Sequence, residues 1–166
     1  MGVSMPEDSI VKVEADDLPY NDVGVWTEAK HRLVGYYAAL FSAGMKDKWE
    51  KRVYIELYAG AGYSRIRDTE RIIAGSPIQA LALKVPFDKY IFCEQDSEKL
   101  EALRVRVKHH APSADVAFIP GGCDGGVLTR SQRRSRSIRR TIGFSVSASS
   151  TPMISAFDSP RSKPSR

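Results

Sequence analysis

Glu56-Leu57-Tyr58-Ala59-Gly60-Ala61-Gly62 sets a carboxylate and two glycines at the end of the apolar run Val53-Tyr54-Ile55. The β-branched and aromatic residues predict a buried parallel strand over 53–58, which would deliver its C-terminal end to a ligand. Glycine at 60 and 62 allows backbone to approach that ligand closely. Two further carboxylates hold equivalent places. Glu94 ends the apolar run Tyr90-Ile91-Phe92-Cys93, and Asp124 follows a strand predicted over 115–119 through Pro120-Gly121-Gly122-Cys123. Open parallel sheets bind ligands outside the carboxyl ends of their strands. There Glu94 would accept both hydroxyls of a ribose, Asp124 a hydrogen bond from an adenine amino group, and Glu56 the cationic end of an amino acid, directly or through water. A single carboxylate after a strand is as often a solvated turn residue or a helix cap. Three of them at three successive strand ends point to a ligand. The dinucleotide fingerprint GxGxxG is incomplete, because Arg65 stands at its third glycine, and no GxxxxGK loop is present. A ligand read by backbone and carboxylates is favoured over one held by its phosphates.

Several elements must position these residues. Residues 1–23 are acidic and aperiodic, which predicts a mobile arm or one loosely docked strand. Trp26, Leu33, Tyr36, Tyr37, Leu40 and Phe41 recur at helical spacing and predict a helix from Thr27, its N-cap, to Met45, with that aromatic stripe against the sheet. Trp26, Lys30 and His31 at its start are candidates to close the site. Residues 63–75 read as a long charged loop. Ser76-Pro77 reads as N-cap and first position of a short helix. A further helix runs from Ser97 to His110, with Leu100, Leu103 and Val107 inward and Glu98, Glu101, Arg104 and Arg106 in solvent. Alternating strands and helices imply a parallel sheet in which the strand at 53 neighbours that at 90, with the strand at 115 outside.

The 166 residues carry a formal charge of +5. Residues 125–166 hold eight Arg and one Lys against Asp158, a net of +8, which leaves −3 for residues 1–124. The basic character belongs to the tail. That removes the electrostatic case for a nucleic-acid-binding core, although the tail could contact polyanions non-specifically. Eleven Ser and the run RSQRRSRSIRR predict disorder from 125 onward, with Ile142, Phe144 and Val146 alternating as in a half-buried strand. Two cysteines, Cys93 and Cys123, are too few for a structural zinc site, and both are expected reduced and buried. With no apolar run of membrane-spanning length and an acidic N-terminus, a cytoplasmic protein is expected.

The linked blocks YIELYAGAG, IFCE and GGCD resemble the class I S-adenosylmethionine-dependent methyltransferases. More narrowly, Trp26 with EAKHRL, YIELYAGAGYSRIR, GSP before a helix, and PFDKYIFCEQD with EKLEAL are similar to the three-Cys-motif partner proteins, bacterial proteins named for a Cys-containing protein encoded beside them. The likeness spans roughly residues 23–124. It implies the N-terminal half of a Rossmann-like α/β fold binding S-adenosylmethionine, with Glu56, Ala59, Gly60 and Gly62 in the cofactor loop, Glu94 on the ribose and Asp124 on the adenine. It also implies a Cys-containing partner. The family's usual first-motif Asp is Glu here. The resemblance ends near residue 124, before the fourth strand and the catalytic segment such families carry. A reading-frame shift or truncation is therefore expected, which would leave residues 24–124 as an inactive cofactor-binding part with an open edge on the central strand. The alternative is a non-catalytic interaction module whose basic tail binds nucleic acid or a protein.

Overall fold

The computed structural model describes residues 11–121, 140–146 and 153–158. In chain order they form β1 (Asn21–Val23), α1 (Trp26–Met45), β2 (Lys51–Glu56), β3 (Tyr63–Ile66), β4 (Ile72–Ala74), α2 (Ser76–Leu81), β5 (Lys89–Glu94), α3 (Ser97–His110), β6 (Val116–Pro120), β7 (Arg140–Val146) and β8 (Met153–Asp158). The main sheet has the order β6-β5-β2-β7-β8, parallel except for the β7–β8 pair. A small sheet, β1-β3-β4, stands apart from it. The result is a mixed α/β architecture of parallel strands flanked by helices, compatible with a Rossmann-like arrangement.

The central strand β2 is buried on both faces, as its apolar run predicts. Tyr54 joins Phe41, Phe87, Tyr90, Phe92 and Phe144 in an aromatic core under the helices, while Val53 and Ile55 pack with Ile91, Cys93 and Ala117 on the opposite face. The neighbours expected at residues 90 and 115 are in place: Ile55 pairs with Ile91, and Ile91 with Ala117. Arg52, buried at the start of β2, ties the lower end together. Its Nε lies 3.1 Å from Asp88 and its Nη1 donates to the Ser42 carbonyl at 3.1 Å.

The other edge of β2 differs from expectation. Residues 140–146 and 153–158, assigned from sequence to a disordered tail, form β7 and β8, and β7 closes the edge of β2 that was expected to be open. The rest of the tail lies outside the described residues. Phe144 supplies the physical reason. It pairs in register with Tyr54, its ring lies 5.7 Å from Tyr54 and 5.4 Å from Phe41, and it is 1% exposed. Truncating it to leucine is expected to cost about 1 to 2 kcal/mol by removing part of that packing. A urea midpoint identical to that of the unaltered chain would mean that β7 does not seat its ring there.

Three further expectations are corrected. The stretch 63–74 is a hairpin instead of a loop: β3 pairs antiparallel with β4 and parallel with β1. Its charged residues stand among Tyr63, Ser64, Ile66, Ile73 and Ala74, all of which are buried. Thr27 caps nothing; α1 begins at Trp26, and Thr27 is buried inside it. The buried side of α1 is Thr27, Val34, Ala38, Phe41 and Ser42, so most of the large stripe, Trp26, Leu33, Tyr37 and Leu40, faces outward.

α3 spans Ser97–His110 as predicted, with Asp96 as the residue that caps it through bonds from the Glu98 and Lys99 amides. Arg106 departs furthest from expectation. It is 2% exposed. Its guanidinium bonds Asp16 through Nε at 2.9 Å and Nη2 at 2.5 Å, and reaches the carbonyls of Pro19 and Ala61 at 2.8 and 2.6 Å. The Tyr63 and Tyr20 rings flank it at 4.2 and 4.9 Å. The arm over residues 11–20 is therefore fastened to α3, and β1 continues it into the small sheet.

Candidate functional site

Strand alternation decides where Glu56 goes. Tyr54 and Glu56 share the face under the helices, so the carboxylate occupies a core position and is 3% exposed. The Tyr54 hydroxyl donates to its Oε2 at 3.1 Å, and the Ser76 hydroxyl, at the start of α2, donates to its Oε1. Among the described residues no cation lies within ion-pair distance of it, and Lys30 on α1 acts only through its field. Burial dominates: it pushes the carboxyl up to about 8, against the pull of the Ser76 and Tyr54 hydrogen bonds and the Lys30 charge. Near neutral pH this group holds its proton. A cation placed beside it would favour the ionised form.

His31, next to Lys30 on α1, comes to the same segment. Its ring bonds the backbone of Ala74, and burial lowers its pKa to about 4, so it is neutral. Its Nδ1 is buried without a hydrogen-bond partner among the described residues. Glu56 and His31 thus flank the stretch Ala74–Ser76, one through Ser76 and the other through Ala74.

The glycine turn after β2 has the conformation that its residues suggest. Gly60 and Gly62 have φ of 64° and 85°, in the left-handed region. A Cβ on Gly60 would meet the Asn21 amide at 1.9 Å, and one on Gly62 would meet Leu103 at 2.8 Å. Hydrogen bonds lock the turn in place. Ala59 N–H donates to the Cys93 carbonyl at 2.9 Å, and Gly75 N–H donates to the Gly62 carbonyl at 2.7 Å. Glu94 reaches across from the end of β5: its Oε2 accepts from Gly60 N–H at 2.8 Å, and its Oε1 from Gln95 and Asp96 N–H at 2.8 and 3.0 Å. A carboxylate offers about four lone-pair positions, so one on Oε2 remains for a ligand hydroxyl.

Of the residues singled out from sequence, Ala59, Gly60 and Glu94 are brought into direct contact across the ends of β2 and β5, with Gly62 closing the same turn. Glu56 is held on the side toward α1 and α2. Asp124 and Cys123 lie outside the described residues. Among the described residues no group of three or more His, Cys, Asp or Glu could hold a metal ion, and no helix is long and apolar enough to cross a membrane.

Three contributors were not assigned to the site from sequence. Ser76 reads as a helix cap yet bonds Glu56. Asn21 seals the turn at Gly60. Arg106 supports Ala61 between the two glycines, and its place three residues after Leu103 was the available signal, since that spacing returns to the buried side of a helix. No protein-family model matches the chain, and no curated protein matches it.

Proposed function

We propose that this chain binds S-adenosylmethionine at the C-terminal ends of β2 and β5, as a methyltransferase-like protein of the three-Cys-motif partner kind. The single observation that carries the reading is Glu56, a buried carboxyl with no ion-pair partner among the described residues, beside a left-handed glycine turn. A ligand bearing an ammonium group would compensate that carboxylate on arrival. Glu94 would accept from one ribose hydroxyl, through the position left on its Oε2, while still holding Gly60. When bound, the cofactor supplies a methyl group on a sulfonium centre. The residues around it orient it and exclude water; transfer further requires an acceptor held in line. The Cys-containing partner implied by the resemblance belongs to the same proposal, and co-purification of the two proteins tests it.

Equilibrium dialysis with S-adenosylmethionine tests the cofactor reading. Glu94→Gln keeps an oxygen for Gly60 N–H but loses charge on the acceptor, and is expected to weaken binding by about 1 to 2 kcal/mol. Glu98→Ala, on the solvent side of α3, should leave binding unchanged. Equal losses from both changes, or no binding by the unaltered chain, would count against the site.

A further inference from the structure

The outward face of α1 has a pattern that the cofactor site does not use. Trp26, Leu33 and Leu40 recur every seventh residue and are 65%, 49% and 53% exposed. Ala29, Tyr36 and Ala43 follow each of them by three. A 3-4-3-4-3 spacing of this kind is the seam by which one helix docks along another. Large exposed apolar side chains gathered on one face mark an interaction surface, whereas scattered ones do not.

The seam itself argues for its occupant. Laid antiparallel on a copy of itself, each first-series residue meets a second-series residue whose number completes the same sum. Trp26 faces Ala43, Leu33 faces Tyr36, and Leu40 faces Ala29. At both ends a large side chain meets a small one, and the two mid-sized residues meet at the centre. Parallel pairing would instead set Trp26 on Trp26 and alanine on alanine. The flanking charges agree with this. Antiparallel, Lys30 comes beside the aromatic ring of Tyr37 and Arg32 beside Ala39, so no like charges oppose one another. Within one chain Lys30 already lies 5.9 Å from the Trp26 ring centre, on the edge of this seam.

We propose that α1 is a self-association surface that docks on α1 of a second copy of this chain, antiparallel about a two-fold axis near Gly35. The contact is isologous, as closed dimers require. A helix of 20 residues is about 30 Å long, and one such pair buries less than about 1,200 Å², the low end for protein interfaces. Association is therefore weak and dependent on concentration.

Sedimentation equilibrium of the full chain, from low to high micromolar concentration, is expected to show a monomer–dimer equilibrium. Leu33→Glu should shift it to monomer, with an unchanged thermal melt because that side chain belongs to no core cluster among the described residues. A chain that stays monomeric throughout would overturn the proposal and assign the face to a different protein; so would a folded Leu33→Glu variant that associates as before. Should that variant fail to fold, oxidative cross-linking decides, in a Cys123→Ser background. Leu33→Cys lies next to its counterpart across the axis and should form the disulfide dimer. Trp26→Cys, about 25 Å from its counterpart in the antiparallel arrangement, should not. Equal cross-linking at both positions would overturn the antiparallel pairing.

Discussion

Replacing Arg106 with methionine is expected to cost about 3 to 5 kcal/mol of folding free energy, a large share of what holds a domain of this size together. The change preserves much of the apolar stem between the Tyr20 and Tyr63 rings but removes every donor. Asp16 then keeps the Leu18 amide and its access to solvent, while the carbonyls of Pro19 and Ala61 lose their bonds to the guanidinium. Unpaired buried acceptors cost more than the bonds they replace. The damage should be local first. Hydrogen exchange should show residues 16–23 losing protection together with the glycine turn, because the guanidinium bonds both Asp16 and the Ala61 carbonyl. Arg104 is the control. It is partly exposed, lies 4.4 Å from the Phe118 ring and 3.5 Å from Glu101, and Arg104→Met should cost less than about 1 kcal/mol. Similar losses at the two positions would show that the buried guanidinium does not fasten the arm.

The second large effect concerns pH. Glu56 has a folded pKa of about 8, above its ordinary value of 4.5, so the folded state binds the extra proton across that window. Its contribution is fully present below 4.5 and is lost as pH rises through 8. His31 acts in the opposite sense. Its folded pKa of about 4, below the ordinary 6.5, gives a contribution present above 6.5 and lost as pH falls toward 4. Between 4.5 and 6.5 the two slopes largely cancel, and from 6.5 to 8 Glu56 acts alone. Stability is expected to fall by about 2 kcal/mol over that last interval. Glu56→Gln, which keeps the shape and can still bond Tyr54 and Ser76, should flatten the fall and leave the variant more stable than the unaltered chain at pH 8. Urea titrations at pH 6.5 and 8 measure it. A fall of equal size in the variant would assign the slope to another group.

The central strands are legible in the sequence because burial on both faces leaves unbroken apolar runs, and their order follows from the length of the connections. α3 is legible for a related reason, its Leu100, Leu103 and Val107 stripe. Elsewhere residue type and residue position point in different directions. Arg106 belongs to the inward stripe by spacing but to solvent by chemistry, and two tyrosine rings and Asp16 make its burial tolerable. α1 has two apolar faces. The one with more hydrophobic mass was expected inward, yet the sheet takes the one with Val34 and Ala38, with Phe41 packed against Phe87 and Phe144. The hairpin at 63–74 hides its buried residues among five charged ones. In the candidate site, the glycine turn and Glu94 follow from their places at strand ends. The bond from Ser76 to Glu56 does not, because it depends on β4 bringing the start of α2 over the end of β2.

Glu56, the Gly60–Gly62 turn and Glu94 are proposed to form one ligand site. Backbone amide NMR on titration with S-adenosylmethionine tests it most directly. The amides of Leu57 to Gly62 and of Gln95 and Asp96 should shift in fast or intermediate exchange, and those at the start of β2 and at the C-terminal end of α3 should stay fixed. An unchanged spectrum at millimolar ligand, or shifts confined to residues away from the ends of β2 and β5, would contradict it.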